Sequence, residues 1–201
     1  MDAMELLKQI PDKSIDLVLT DPPYGIGIDG QKESYNKKNI KSARKKHIFK
    51  NWDSKIPGKK VFNEIIRISK NQIIFGANYF NKYLPQGNKG WIVWDKGQKG
   101  LTMSDCEIIY SSFNKATRIY IFNRVEILKD GAFHPTMKPL NLIKKILLSN
   151  SEENQIICDP FMGSWTTAVA CQNLNRNFIG CELDEEYCEI GRQRLRQKTL
   201  F

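Results

Sequence analysis

The segment Asp21-Pro22-Pro23-Tyr24 follows directly on the apolar run Ile15 to Thr20. Two consecutive prolines end a strand and fix the backbone; they remove two N–H donors and keep their carbonyl acceptors. An acid, an acceptor-only backbone and an aromatic ring at the carboxyl end of a strand can hold a planar group that offers N–H donors. The exocyclic amine of a nucleobase is such a group. Asp21 and the Pro22 carbonyl would each accept one amine hydrogen while the Tyr24 ring stacks on the base. Taken alone, these four residues suit a rigid strand-ending turn with an incidental acid equally well.

A second constellation runs from Ile156 through Cys158-Asp159-Pro160-Phe161-Met162-Gly163-Ser164-Trp165-Thr166-Thr167. It reads as a buried strand, a turn with Gly and Ser, and a helix whose first turn carries two threonines. Such a unit brings backbone N–H groups and a helix N-terminus close to a ligand. It lacks the Gly-Lys-Ser/Thr ending of a phosphate-binding Walker loop. Glu182 stands nineteen residues after Gly163, at the end of the next strand. That is where an acid binds ribose hydroxyls, so the pair points to an adenosine-containing cofactor, with an ordinary β-α-β turn as the plainer alternative.

Charge adds a partner. The chain carries 31 Lys and Arg against 22 Asp and Glu, a net charge of +9. The segment Lys32 to Lys60 holds eleven of those basic residues against only Glu33 and Asp53, so the whole excess is local and the remainder is neutral. A polyanion is the expected partner. Lys37, Lys38, Lys41, Arg44, Lys45 and Lys46 are the candidate phosphate contacts, which supply affinity but no sequence choice. His47, Phe49 and Trp52 could touch bases, though a solvated loop or a local anchor explains each as well. The segment has no apolar periodicity and reads as a long loop.

The elements that must position these residues alternate. Strand-like runs lie at Ile15 to Thr20, Gln72 to Phe75, Trp91 to Trp94, Cys106 to Tyr110, Arg118 to Phe122, Gln155 to Cys158 and Phe178 to Cys181. Helical spacing occupies Ala3 to Gln9, Lys60 to Ser69, Leu140 to Leu148, Thr166 to Asn173 and Asp184 to Gln197. The pattern predicts an α/β fold: a mixed, mostly parallel, seven-stranded sheet with helices on both faces. The stretch Cys106 to Phe122 reads as an antiparallel hairpin, because SSFNKAT is too short for a crossover helix. With 201 residues and 41% hydrophobic content, one domain spanning 1–201 is expected, with a basic loop at about 25–60 that would face the polyanion. No apolar stretch is long enough for a membrane helix and the N-terminus has no signal-type run, so a cytoplasmic protein is expected. Five cysteines without Cys-x-x-Cys spacing signal neither a disulfide framework nor a zinc site.

Together these motifs resemble the amino-methyltransferases that act on DNA. Asp21-Pro22-Pro23-Tyr24 resembles their catalytic motif, and Asp159 to Thr167 their S-adenosylmethionine motif, Asp-Pro-Phe-x-Gly-Ser-Gly-Thr-Thr. The catalytic motif comes first here, the permuted order of the β class. His134-Pro135-Thr136-Met137-Lys138-Pro139 resembles that class's His-Pro-Thr-x-Lys-Pro element at the methionine end of the cofactor. Phe178 to Tyr187 resembles the segment whose Glu binds ribose. The resemblance implies a Rossmann-like methyltransferase fold, S-adenosylmethionine as cofactor and double-stranded DNA as partner. It implies cofactor contacts at Asp2, Asp21, His134, Thr136, Lys138, Asp159, Phe161, Gly163, Ser164, Thr166 and Glu182. It implies no metal and no membrane, and a homodimer. Trp165 departs from the family's glycine, and an indole there crowds the turn unless it swings away from the cofactor. Only Met1 precedes Asp2, so a frayed end is expected at that ligand.

The implied mechanism is alignment, since the sulfonium methyl is already activated. Asp21, Pro22, Pro23 and Tyr24 would hold the amine of a flipped-out base with its lone pair directed at the methyl. Asp rather than Ser at position 21 favours N6 of adenine over N4 of cytosine, since the family's cytosine enzymes more often begin with Ser. Transfer to RNA or to a protein glutamine fits less well. From another class, a DNA-binding module without catalysis is the rival, kept open by Trp165 and the short N-terminus.

Overall fold

A computed structural model describes residues 1–27, 53–100, 104–123 and 136–197. The elements in chain order are α1 (Ala3–Gln9), β1 (Ile15–Thr20), α2 (Lys59–Ile68), β2 (Ser69–Phe75), α3 (Ala77–Phe80), β3 (Trp91–Asp95), β4 (Cys106–Ser111), β5 (Arg118–Ile121), α4 (Leu140–Asn150), β6 (Ile156–Asp159), α5 (Thr166–Asn173), β7 (Asn177–Gly180) and α6 (Glu185–Arg196). The seven strands form one sheet in the order β5-β3-β4-β2-β1-β6-β7. All run parallel except β4, which is antiparallel to both its neighbours.

Period-two alternation divides the core between the two faces of this sheet. Val18 and Ile74 face one side, where they meet Leu6, Leu7, Phe62 and Ile65 of α1 and α2. Leu17, Leu19, Ile73 and Phe75 face the other, against Leu142, Ile143 and Ile146 of α4 and Ala170 and Cys171 of α5. Helices therefore cover both faces, as the alternation predicts.

The hairpin expected over Cys106 to Phe122 forms between other partners. β4 pairs with β3, with Trp94 opposite Glu107, and β3 lies between β4 and β5. The connection from β4 to β5 crosses the start of β3 at Gly90. A Cβ there would come within 2.3 Å of the Phe113 carbonyl oxygen, so only glycine lets the backbone pass. Chain proximity suggests the local pairing; the crossing at Gly90 makes the other one possible.

This topology reverses at β1, whose parallel neighbours β2 and β6 lie on opposite sides. Ligand crevices in open α/β sheets form outside the carboxyl ends of strands at such a point. Asp21 and Asp159 sit at those ends. The amino end of the antiparallel β4 reaches the same edge, carrying Glu107.

Candidate active site

A cleft of about 470 Å³ opens at this edge, within the ~300–1,000 Å³ usual for small-ligand sites. Its lining holds every expected cofactor residue among those described. Asp2, Asp21, Thr136, Lys138, Asp159, Phe161, Gly163, Ser164, Thr166 and Glu182 all line it. His134 lies outside the described residues, as do Lys37, Lys38, Lys41, Arg44, Lys45, Lys46, His47, Phe49 and Trp52.

Asp159 builds the floor. Its carboxylate accepts from the Thr20 hydroxyl at 2.7 Å, the Thr167 hydroxyl at 2.8 Å and the Phe161 N–H at 3.1 Å, tying β1, β6 and α5 together. Burial pushes its pKa up to about 6 against those three donors. Glu182 closes the wall: one oxygen accepts from the Gly163 N–H at 2.8 Å, the other from Leu183 and Asp184 at 2.7 and 2.8 Å. Burial raises this group as well. A carboxylate has about four acceptor sites, so one stays available for a ribose hydroxyl.

Asp2 is not frayed. It caps α1, accepting from the Met4 N–H at 2.8 Å while its own N–H donates to Glu5, a capping box. The terminal ammonium of Met1 donates to the Glu182 carbonyl at 3.2 Å, which seats α1 at the cleft rim. Trp165 adopts the left-handed conformation at the start of α5, φ 62°, and its indole packs against Gly191 of α6 instead of the cleft. The turn is braced from behind by the buried Arg194, whose guanidinium donates to the Ser164 carbonyl and the Thr166 hydroxyl. An arginine near a helix C-terminus has a dipole explanation in sequence; its reach across to the turn is not legible there.

Around Asp21 the structure assembles a buried polar cluster. The Tyr24 hydroxyl donates to Asp21 Oδ1 at 2.6 Å, and the Lys138 ammonium donates to Oδ2. Glu107 Oε2 lies 3.3 Å from the Tyr24 hydroxyl and 3.5 Å from Lys138 Nζ, and its Oε1 is paired with Lys96 at 3.1 Å. Burial raises Asp21, opposed by Lys138 and reinforced by Glu107. Burial also works against the charged form of Glu107, but Lys138 and Lys96 outweigh it and hold this carboxyl below its ordinary range. Burial disfavours the Lys138 ammonium too, yet the two carboxylates keep it raised. Nothing in the spacing of the sequence marks Glu107, on β4, or Lys96, just past the end of β3.

Two expected residues stand differently from their sequence reading. Lys138, expected at the cofactor, reaches across to Asp21 while still lining the cleft. The Tyr24 ring is stacked on Tyr79, centroids 4.7 Å apart at 14°, and rests against Gly76, where a Cβ would come within 2.2 Å. Pro22 is buried and Pro23 lines the cleft. Asp53, 1% exposed, accepts from the N–H groups of Gly25 and Ile26 at 2.8 and 3.3 Å, and its carbonyl accepts from Gly27 at 3.1 Å. Residues 25 to 27 and Asp53 are therefore joined by three hydrogen bonds in the turn that follows Tyr24. Among the buried cysteines, burial pushes the Cys171 and Cys181 thiols up to about 12, which disfavours the reactive thiolate. No helix among the described residues is long and apolar enough to cross a membrane.

Comparison with known proteins agrees with this geometry. A family model described as DNA methylase matches residues 15–193. The DNA adenine methyltransferase YhdJ of Escherichia coli (strain K12) is 28% identical over 241 residues, covering 96% of this chain and 80% of that protein. The crystal structure of an M1.HpyAVI-SAM complex superimposes with a TM-score of 0.63 at 26% identity, covering 97% and 96% of the two chains. PvuII DNA methyltransferase, described as cytosine-N4-specific, gives a TM-score of 0.66 at 16% identity over 100% and 86% of the chains, a likeness of fold alone.

Proposed function

This chain belongs to the DNA methylase family, and on that premise we propose that it moves a methyl group from S-adenosylmethionine to the exocyclic N6 of an adenine flipped out of double-stranded DNA. The observation that carries the reading is the position of Asp21. It lines the cofactor cleft and at the same time ends the polar cluster, so a group held by its carboxylate faces the cleft. The residues present suit the cofactor: Glu182 keeps an acceptor site for ribose, and the Asp21 carboxyl lines the cleft where a cation would sit. Bound there, S-adenosylmethionine supplies a methyl group already activated by its sulfonium.

The chain's own task is orientation. Asp21 and the Pro22 carbonyl accept the two amine hydrogens, which draws the conjugated nitrogen toward a tetrahedral shape and aims its lone pair into the cleft. The nitrogen gains a methyl and loses one proton, which passes to Asp21 or to water. A base inside a duplex cannot reach this depth and must be flipped out, and Tyr24 with Tyr79 offers aromatic surface in place of lost stacking. The basic segment supplies phosphate contacts. The whole chain acts as one methyltransferase domain, and the family resemblance supports a homodimer as the acting form.

Asp21 favours adenine, and so does the similarity to a DNA adenine methyltransferase. The acceptors would also suit the N4 amine of cytosine. Digestion of DNA methylated by the purified protein, followed by mass spectrometry, decides: N6-methyladenine is the expected product, and N4-methylcytosine reassigns the base.

A further inference from the structure

We infer that Glu107 is a positioning residue for this reaction: its Oε2 is the alternative acceptor to which the Tyr24 hydroxyl and the Lys138 ammonium pass when the amine of the target base takes up Asp21. The inference rests on the proposed amine-methylating function of the site.

Both oxygens of Asp21 are already in use, Oδ1 by Tyr24 and Oδ2 by Lys138. An arriving amine meets a carboxylate whose charge is already shared with both. The two donors also share one second acceptor, Glu107 Oε2, at 3.3 Å from the hydroxyl and 3.5 Å from the ammonium. Lys96 holds the other oxygen, Oε1, at 3.1 Å, so Oε2 is the one directed at Tyr24 and Lys138. Small rotations would hand both donors to Glu107 while the amine hydrogens take their place on Asp21. The cluster sets two carboxyl groups against two ammonium groups, which matters because an uncompensated buried charge is costly. β4 makes this possible by running antiparallel. Its amino end, where Glu107 sits opposite Trp94, reaches the edge that the parallel strands reach with their carboxyl ends. With Glu107 absent, Lys138 would stay on Asp21.

The test measures single-turnover methyl transfer to DNA against pH for wild type, Glu107→Gln and Glu107→Asp, with S-adenosylmethionine affinity by calorimetry. The groups facing Asp21 are Tyr24 on the following turn, Lys138 ahead of α4, Glu107 on β4 with Lys96 behind it, and Asp159 on β6. Removing the Glu107 charge lowers the pKa of Asp21, so the acid limb of the profile moves to lower pH. Glu107→Gln is expected to slow transfer by roughly 100-fold, the scale of losing one preorganised polar contact. Its cofactor affinity stays within about twofold of wild type, and Glu107→Asp, which keeps the charge, recovers much of the rate and the position of the limb. Transfer by Glu107→Gln at the wild-type rate overturns the inference. So does a slowed variant whose acid limb does not move, or whose cofactor binding weakens in proportion. A wild-type protein that binds the cofactor but methylates no DNA instead overturns the functional reading, and this inference with it.

Discussion

The indole of Trp165 occupies the space that a side chain at Gly191 would need: an ideal Cβ there would come within 2.2 Å of the ring. A bulky residue at the cofactor turn is thus accommodated by a missing one on α6. The left-handed backbone at Trp165, rare for a non-glycine residue, is held by the same packing.

Gly191→Ala is therefore expected to act at a distance. Forcing a methyl into a filled space costs about 1–3 kcal/mol in stability, and it pushes the indole toward the cleft and weakens S-adenosylmethionine binding. Trp165→Gly in the Gly191→Ala background removes the clash. Urea melts and calorimetry on the single and double variants check this: the double variant binds the cofactor more tightly than Gly191→Ala alone.

Asp159 gives a pH prediction. Its folded pKa of about 6 lies above its ordinary value of 3.8. The folded state then binds a proton more tightly than the unfolded one, so this group's contribution is complete below pH 4 and is lost as pH rises to about 6. The change is about 3 kcal/mol. Urea unfolding between pH 4 and 7 should show that loss in wild type, and Asp159→Asn should lack the step while being less stable where the carboxyl is protonated.

For the basic segment, DNA affinity should fall steeply with salt. Each phosphate contact removed by Lys37→Ala, Lys38→Ala or Lys41→Ala reduces the slope of log affinity against log salt by about 0.9. Asp53→Ala removes the acceptor for the Gly25 and Ile26 N–H groups and should weaken DNA binding without changing cofactor affinity. Fluorescence titration with duplex DNA at several salt concentrations measures both effects.

Much of the site was legible because its chemistry is written in contiguous letters. Asp21 to Tyr24, Asp159 to Thr167 and Glu182 each follow a strand, and strands that alternate with helices place such ends on one edge. What sequence could not supply comes from residues of ordinary type brought from afar. Glu107 looks like any polar position on a strand, and only the antiparallel direction of β4 carries it to Asp21. Asp53 reads as one of two acids in a basic run, although it holds the backbone of residues 25 to 27. Arg194 reads as a helix-end cation, although it braces Ser164 and Thr166. The pairing of β3 with β4 was hidden because it depends on a backbone crossing at Gly90, which local spacing does not encode.

The most direct test of the central claim compares wild type with Asp21→Ala in methyl transfer from radiolabelled S-adenosylmethionine to unmethylated double-stranded DNA, with cofactor binding measured on both. The account predicts label in DNA for wild type, recovered as N6-methyladenine. For Asp21→Ala it predicts transfer reduced at least about 100-fold with the cofactor still bound, since the loss removes alignment of the amine rather than the cleft. Undiminished transfer by Asp21→Ala, or a wild type that binds S-adenosylmethionine and leaves DNA unlabelled, would contradict it.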